Sequence, residues 1–161
     1  MEKQELTPKI AEEFAREIFS KFNDEEQESQ LWHAKAVVNA TLILSQNKKV
    51  NKETLNVAGW IHDIGRSINA ENHAEHSLEI LEKKFSISPT LKDCILNHGS
   101  SEKPKTEEGK IFQLADKSCI LNPEFINLLI KYNRGVLKKE DSTWLEKMTS
   151  NSIKLLKEYK F

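Results

Sequence analysis

The sequence predicts an all-α fold, a bundle of about seven to eight helices in a single domain over residues 1–161. Three observations predict it. Apolar residues recur three and four apart in segment after segment, while the strict alternation of a half-buried strand is nearly absent. Helix-start punctuation is frequent: Thr7-Pro8, Ser88-Pro89 and Asn122-Pro123 each place a capping side chain before a proline or polar first turn. With 5 glycines and 4 prolines in 161 residues, no linker divides the chain.

The elements follow in order. Thr7-Pro8 opens a first helix whose inward stripe is Ile10, Phe14, Ile18 and Phe22. Asp24 or Ser29 opens a second, with Leu31, Ala34, Val38 and Leu42 on one face. Asn51 caps a third from about Lys52 to Ile64, which Gly65 is placed to end. A fourth is expected from about Asn69 to Phe85, and a fifth from Ser88-Pro89 to His98-Gly99. The polar loop SSEKPKTEEG leads into a sixth, Gly109 to Leu121. Asn122-Pro123 starts a seventh, and Asp141 or Ser142 a last one reaching Tyr159. In that last helix Trp144, Leu145, Met148, Ile153, Leu155 and Leu156 form an amphipathic stripe. The stripe fits packing on the bundle or a homodimer contact.

Composition excludes several classes of function. A net charge of −1, with lysines spread along the chain, gives no field for nucleic acid or an anionic membrane, so neither is expected as a partner. No apolar run approaches the ~20 residues of a membrane span. The N-terminus MEKQELTPKI is polar and unlike a signal peptide. Cys94 and Cys119 lie in apolar helical patterns without zinc-site spacing, as reduced core residues of a cytoplasmic protein would.

The polar residues that fall in apolar stretches point to chemistry. All 5 histidines, His33, His62, His73, His76 and His98, lie between positions 33 and 98. In AGWIHDIGRS, His62 and Asp63 sit among Trp60, Ile61 and Ile64, and ionisable groups are costly to bury without partners. Asp116 interrupts the apolar run IFQLADKSCIL. Taken singly, most have ordinary explanations: His33 as a hydrogen-bonded core residue, His76 on the surface beside Glu75 and Glu79, His98 at a helix C-terminus, Asp116 paired with Lys117. Taken together, His33, His62, Asp63 and Asp116 supply two neutral and two anionic ligands from three helices. One divalent metal would then account for every burial.

The ordered pattern resembles the HD-domain superfamily of metal-dependent phosphohydrolases. It reads His33 in LWHAK, His62-Asp63 in WIHDIGR and Asp116 in LADKS, with a basic residue following HDIG. The resemblance covers about 29–121 as a metal-binding core and leaves the C-terminal helices, 122–161, outside. Branches of the superfamily with two further histidines bind two metals. His73, in NHAEHSLEIL, and His98 offer that pair here. His73 is preferred to His76 because in those branches this histidine starts a helix four residues before a small residue, as His73 stands to Ser77. The resemblance implies that His33, His62, Asp63 and Asp116 hold one metal, and Asp63, His73 and His98 a second, with Asp63 bridging. It also implies hydrolysis of a small phosphate ester, such as a nucleotide, by metal-activated hydroxide. Arg66 is placed to meet a phosphate, unless it serves only as a helix C-terminal cation. Lys117 is a second candidate for that role, and Lys103 and Lys105 suggest a mobile phosphate rim. The ligand types do not separate Fe, Mn, Co, Ni, Mg and Zn. The signature of cyclic-dinucleotide phosphodiesterases is missing. The competing readings are a non-catalytic HD-fold module that binds or senses a nucleotide, and a di-iron oxygenase on the same scaffold.

Overall fold

The computed structural model describes residues 3–132 and 139–160. Among them are eight α-helices and no strand: α1 Pro8–Phe19, α2 Asp24–Leu44, α3 Lys52–Ile61, α4 His73–Glu82, α5 Pro89–Leu96, α6 Glu107–Ser118, α7 Pro123–Tyr132 and α8 Lys139–Tyr159. Two short 3-10 turns, Ile64–Ser67 and Cys119–Leu121, continue α3 and α6. The all-α bundle predicted from the sequence is the fold.

The capping residues explain most of the helix starts. The side chains of Thr7, Asn23, Asn51, Ser88 and Thr106 each accept a hydrogen bond from a backbone N–H in the first turn of α1, α2, α3, α5 and α6. Asn23 therefore decides the start of α2 in favour of Asp24 over Ser29. Thr106, rather than Gly109, sets the start of α6.

α2 and α3 form the most extensively packed pair, with α1 against α3, and α6 between α2, α5 and α8. Phe19, Leu55, Ile61, Ile95, Ile111 and Phe112 are fully buried at their centre. Burying each such side chain contributes roughly 1.5–3 kcal/mol. Gly59 is where α3 crosses α2, since a Cβ there would lie 2.5 Å from Val38 Cγ2 and 3.1 Å from Val38 N.

The structure corrects several sequence-derived boundaries: α4 runs only from His73 to Glu82, inside the expected Asn69 to Phe85. α3 stops at Ile61, so His62 and Asp63 lie past its end rather than in its last turn. The apolar spacing of Ile61 and Ile64 persists because the tighter 3-10 turn also buries Ile64. Gly65 does not end a helix in the left-handed conformation; it lets α4 approach. α5 ends at Leu96, leaving His98 on the loop beyond it. The C-terminal helix packs back on the bundle. The Ser152 hydroxyl donates to Lys117 O at 2.7 Å, the Tyr159 hydroxyl meets Gln113 Oε1, and Leu155 is buried. No described helix is long and apolar enough to cross a membrane.

Candidate metal centre

Five segments deliver six side chains to one place. His33 comes from α2 and Asp116 from α6; His62 and Asp63 follow the end of α3; His73 is the first residue of α4; His98 follows α5. His33 Nε2 lies 3.1 Å from His62 Nε2 and 3.0 Å from Asp116 Oδ1, and His62 Nε2 lies 3.4 Å from the same oxygen. On the other side, His73 Nε2 and His98 Nε2 are 3.0 Å apart. Asp63 sits between the two halves. Its Oδ1 is 3.1 Å from His73 Nε2, 3.7 Å from His62 Nε2 and 3.8 Å from His98 Nε2, while its Oδ2 is 3.7 Å from His33 Nε2.

The far sides of the rings settle the arrangement of protons. Nδ1 of His62, His73 and His98 lies 3.1, 2.8 and 2.6 Å from the carbonyl oxygens of Gly59, Ala70 and Ile95, each three residues earlier. A carbonyl only accepts, so each Nδ1 carries the hydrogen and, in a neutral ring, Nε2 carries a lone pair. With both rings neutral, His73 and His98 face each other lone pair to lone pair. Asp63 Oδ1 is buried among these nitrogens with no hydrogen-bond partner. A set of electron-pair donors converging without a hydrogen between them is what a cation satisfies. Two overlapping groups have ligand atoms within 4.8 Å of one another, His33–His62–Asp116 and His62–Asp63–His98. The residues present thus fit one or two divalent ions.

The electrostatics differ from group to group. Burial would raise the Asp63 carboxyl, but His62, Arg66, His33 and His98 hold it well below the usual carboxylate range. Burial likewise opposes ionisation of Asp116, and Lys117, His33 and His62 overcome it. Burial pushes the His98 imidazole down to about 4, keeping it neutral as a ligand must be. His33 goes the other way. Burial lowers its proton affinity, but Cys119 and Asp116 at its ring more than offset this.

The cluster forms the end of a cavity of about 300 Å³. Arg66 and Lys117 line it, but neither is an unengaged cation. Arg66 Nε donates to Asp63 Oδ2 at 2.7 Å, and Lys117 Nζ pairs with Asp116 Oδ2. The apolar part of the lining is Ile120, Phe125 from α7, and Trp144 and Met148 from α8. His76 lies outside both ligand groups and the cavity lining, with Nδ1 3.3 Å from Glu79 Oε2. Lys103 and Lys105 do not line the cavity either.

The loop after His98 is tied down rather than forming a mobile rim. Asp93, buried in α5, accepts hydrogen bonds from Lys105 N at 3.0 Å, Thr106 N at 2.8 Å, Thr106 Oγ1 at 2.6 Å and Asn97 Nδ2 at 2.7 Å. Gln113 Nε2 donates to Gly99 O at 2.6 Å and Glu102 O at 3.0 Å. In the sequence, the one sign of this role is that Asp93 is a carboxylate among Leu91, Cys94 and Ile95. In Asp93→Asn an amide N–H₂ would face donors, so a loss of about 2 kcal/mol is expected in urea denaturation at pH 7. Burial raises the Asp93 pKa, but the donors from Thr106, Lys105 and Asn97 lower it further. Its stabilising contribution is therefore complete above the unfolded-state pKa of about 3.9 and drains away as pH falls through the lower folded value. The gap between wild type and Asp93→Asn should accordingly narrow on acidification below pH 4.

Comparison with known proteins places the chain among relatives. The family model for the HD domain matches residues 7–119. The deoxyguanosinetriphosphate triphosphohydrolase-like protein of Caldanaerobacter subterraneus subsp. tengcongensis is 24% identical over 146 residues, covering 78% of this chain and 42% of its own length. Ribonuclease Y of Geobacter metallireducens is 29% identical over 76 residues, 46% of this chain and 15% of that protein. The chain thus spans less than half the length of these curated relatives. The crystal structure of a predicted HD superfamily hydrolase from an uncultured Thermotogales bacterium superposes with a TM-score of 0.56 at 20% identity, covering 91% of this chain and 90% of that one. At that identity it supports the fold alone.

Proposed function

The chain belongs to the HD domain family, and from that premise we propose that it is a metal-dependent phosphohydrolase acting on a small phosphate ester of the nucleotide type. The observation that carries the reading is the buried, partnerless Asp63 Oδ1 amid imidazole nitrogens whose hydrogens are all spent on backbone carbonyls. His33, His62, Asp63 and Asp116 would hold one divalent ion, and Asp63, His73 and His98 a second. When bound, such ions acidify water and neutralise the charge on phosphate oxygens.

The remaining residues do what side chains can do around that chemistry. Asp63 and Asp116 anchor Arg66 and Lys117 at the cavity wall, where fixed cations suit an anionic substrate. Phe125, Trp144 and Met148 offer the organic part of the ester an apolar surface. The two curated relatives are a deoxyguanosinetriphosphate triphosphohydrolase-like protein and a ribonuclease. The net charge of −1 favours a free nucleotide over a nucleic-acid chain.

Elemental analysis of protein purified without chelator, followed by a nucleotide and chromogenic phosphodiester panel with Mn, Co, Fe, Mg and Zn, tests the proposal. One or two metals per chain and chelator-sensitive release of phosphate or nucleoside are expected. Nucleotide binding without turnover would instead favour the non-catalytic module, and iron-dependent oxygen consumption the oxygenase.

A further inference from the structure

His33 is the odd one among the four clustered histidines. The other three fix their rings through a backbone carbonyl at Nδ1, whereas Nδ1 of His33 lies 3.6 Å from the Cys119 sulfur. His33 is inside the long helix α2, where the carbonyls of preceding turns are committed to helical hydrogen bonds. Cys119 begins the 3-10 turn after α6, three residues beyond Asp116, and is buried. Its sulfur is also 3.2 Å from Asp116 O.

We propose that Cys119 is a positioning residue that orients His33 for the metal through a relay of two hydrogen bonds. Resting on the metal-centre reading above, the relay follows from valence. If His33 Nε2 offers its lone pair to an ion, its hydrogen is on Nδ1 and the sulfur accepts it. The thiol hydrogen is then directed to Asp116 O, the acceptor already within reach. One side chain thereby ties together two residues that come from different helices and hold the same ion. Cys94, also buried but on α5, makes no side-chain hydrogen bond to a clustered histidine among the described residues and supplies an internal control.

The test uses the full chain and cobalt(II) as the probe, read by visible absorption and by titration. Cys119→Ala is expected to weaken cobalt binding about 10–100-fold, the usual effect of removing a group that orients a ligand, and to alter the visible bands. Cys119→Val fills the volume without a donor or acceptor and should behave like Cys119→Ala. Cys119→Ser keeps both functions of the relay and should bind within about 3-fold of wild type, while Cys94→Ala leaves affinity and spectrum unchanged. Wild-type affinity and spectrum in both Cys119→Ala and Cys119→Val would overturn the proposal. So would a Cys119→Ser protein as weak as they are. If the unsubstituted protein takes up no cobalt, zinc or manganese, the metal-centre reading itself fails, an outcome distinct from a cysteine that proves indifferent.

Discussion

Asp63→Ala is expected to fold, to purify without its metal and to lose about three orders of magnitude in turnover, equivalent to about 4 kcal/mol in the barrier. Among the described residues, Asp63 is the one carboxylate within 4 Å of all four clustered histidines. Removing it therefore deprives both candidate ions of a ligand. The substitution also has an unusual signature in stability. Asp63 Oδ1 is buried without a hydrogen-bond partner, so the wild-type chain carries its desolvation cost until a cation compensates it. Arg66 is partly exposed and recovers solvation when its partner is removed. In the presence of chelator, loss of the Arg66 bond at Oδ2 opposes the relief at Oδ1, so Asp63→Ala should stay within about 1 kcal/mol of wild type. Added metal should then separate the two proteins, because an ion at 100 times its Kd stabilises the form that binds it by about 2.7 kcal/mol. Differential scanning fluorimetry with and without manganese or cobalt measures both halves. A chelated variant melting far below wild type would make Asp63 a structural residue, and equal metal uptake by the two would remove it from the site.

The sequence exposes the members of this cluster more readily than the local geometry that joins them. His62, Asp63 and Asp116 stand out because each interrupts an apolar run. Their partners, His73 and His98, are legible only through the family resemblance, which also prefers His73 to His76 for standing four residues before Ser77, a fully buried residue. What escapes is everything that depends on contacts between distant segments. The end of α3 at Ile61 is hidden because Ile64 stays inside through a 3-10 turn. Asp93 shows only as a carboxylate among Leu91, Cys94 and Ile95, and its four donors come from Asn97 and from a loop more than ten residues away. Trp144 reads as one member of an amphipathic stripe; that it lines the cavity follows only from how α8 returns to α6. Arg66 lines the cavity, but its bond to Asp63 requires knowing that the chain turns immediately after His62.

Gly65→Ala is the substitution expected to cost most in stability, and the reason is steric rather than torsional. Gly65 is not in the left-handed region, so an alanine meets no backbone penalty of its own. Its Cβ, however, would lie 2.0 Å from His73 O, 2.4 Å from Ser77 N and 2.9 Å from His76 C. All three are backbone atoms of the first turns of α4, so no flexible side chain can yield. The same contact is stitched by two hydrogen bonds. Gly65 N donates to Ser77 Oγ at 2.8 Å, and that hydroxyl donates to His62 O at 2.7 Å. To admit one methyl group, α4 would have to retreat and break this bridge, taking His73 away from His98 and Asp63. A loss of more than about 4 kcal/mol, near the extreme for a single substitution, is expected in urea denaturation. Gly99→Ala is the control. A Cβ there meets only the flexible Glu102 Cγ, at 3.2 Å, and should shift stability by no more than about 0.5 kcal/mol. Should Gly65→Ala survive purification, cobalt titration should find binding through His73 and His98 weakened more than binding through His33, His62 and Asp116. A well-folded variant with undiminished metal stoichiometry would mean that the close approach of α4 is not what builds the second half of the site.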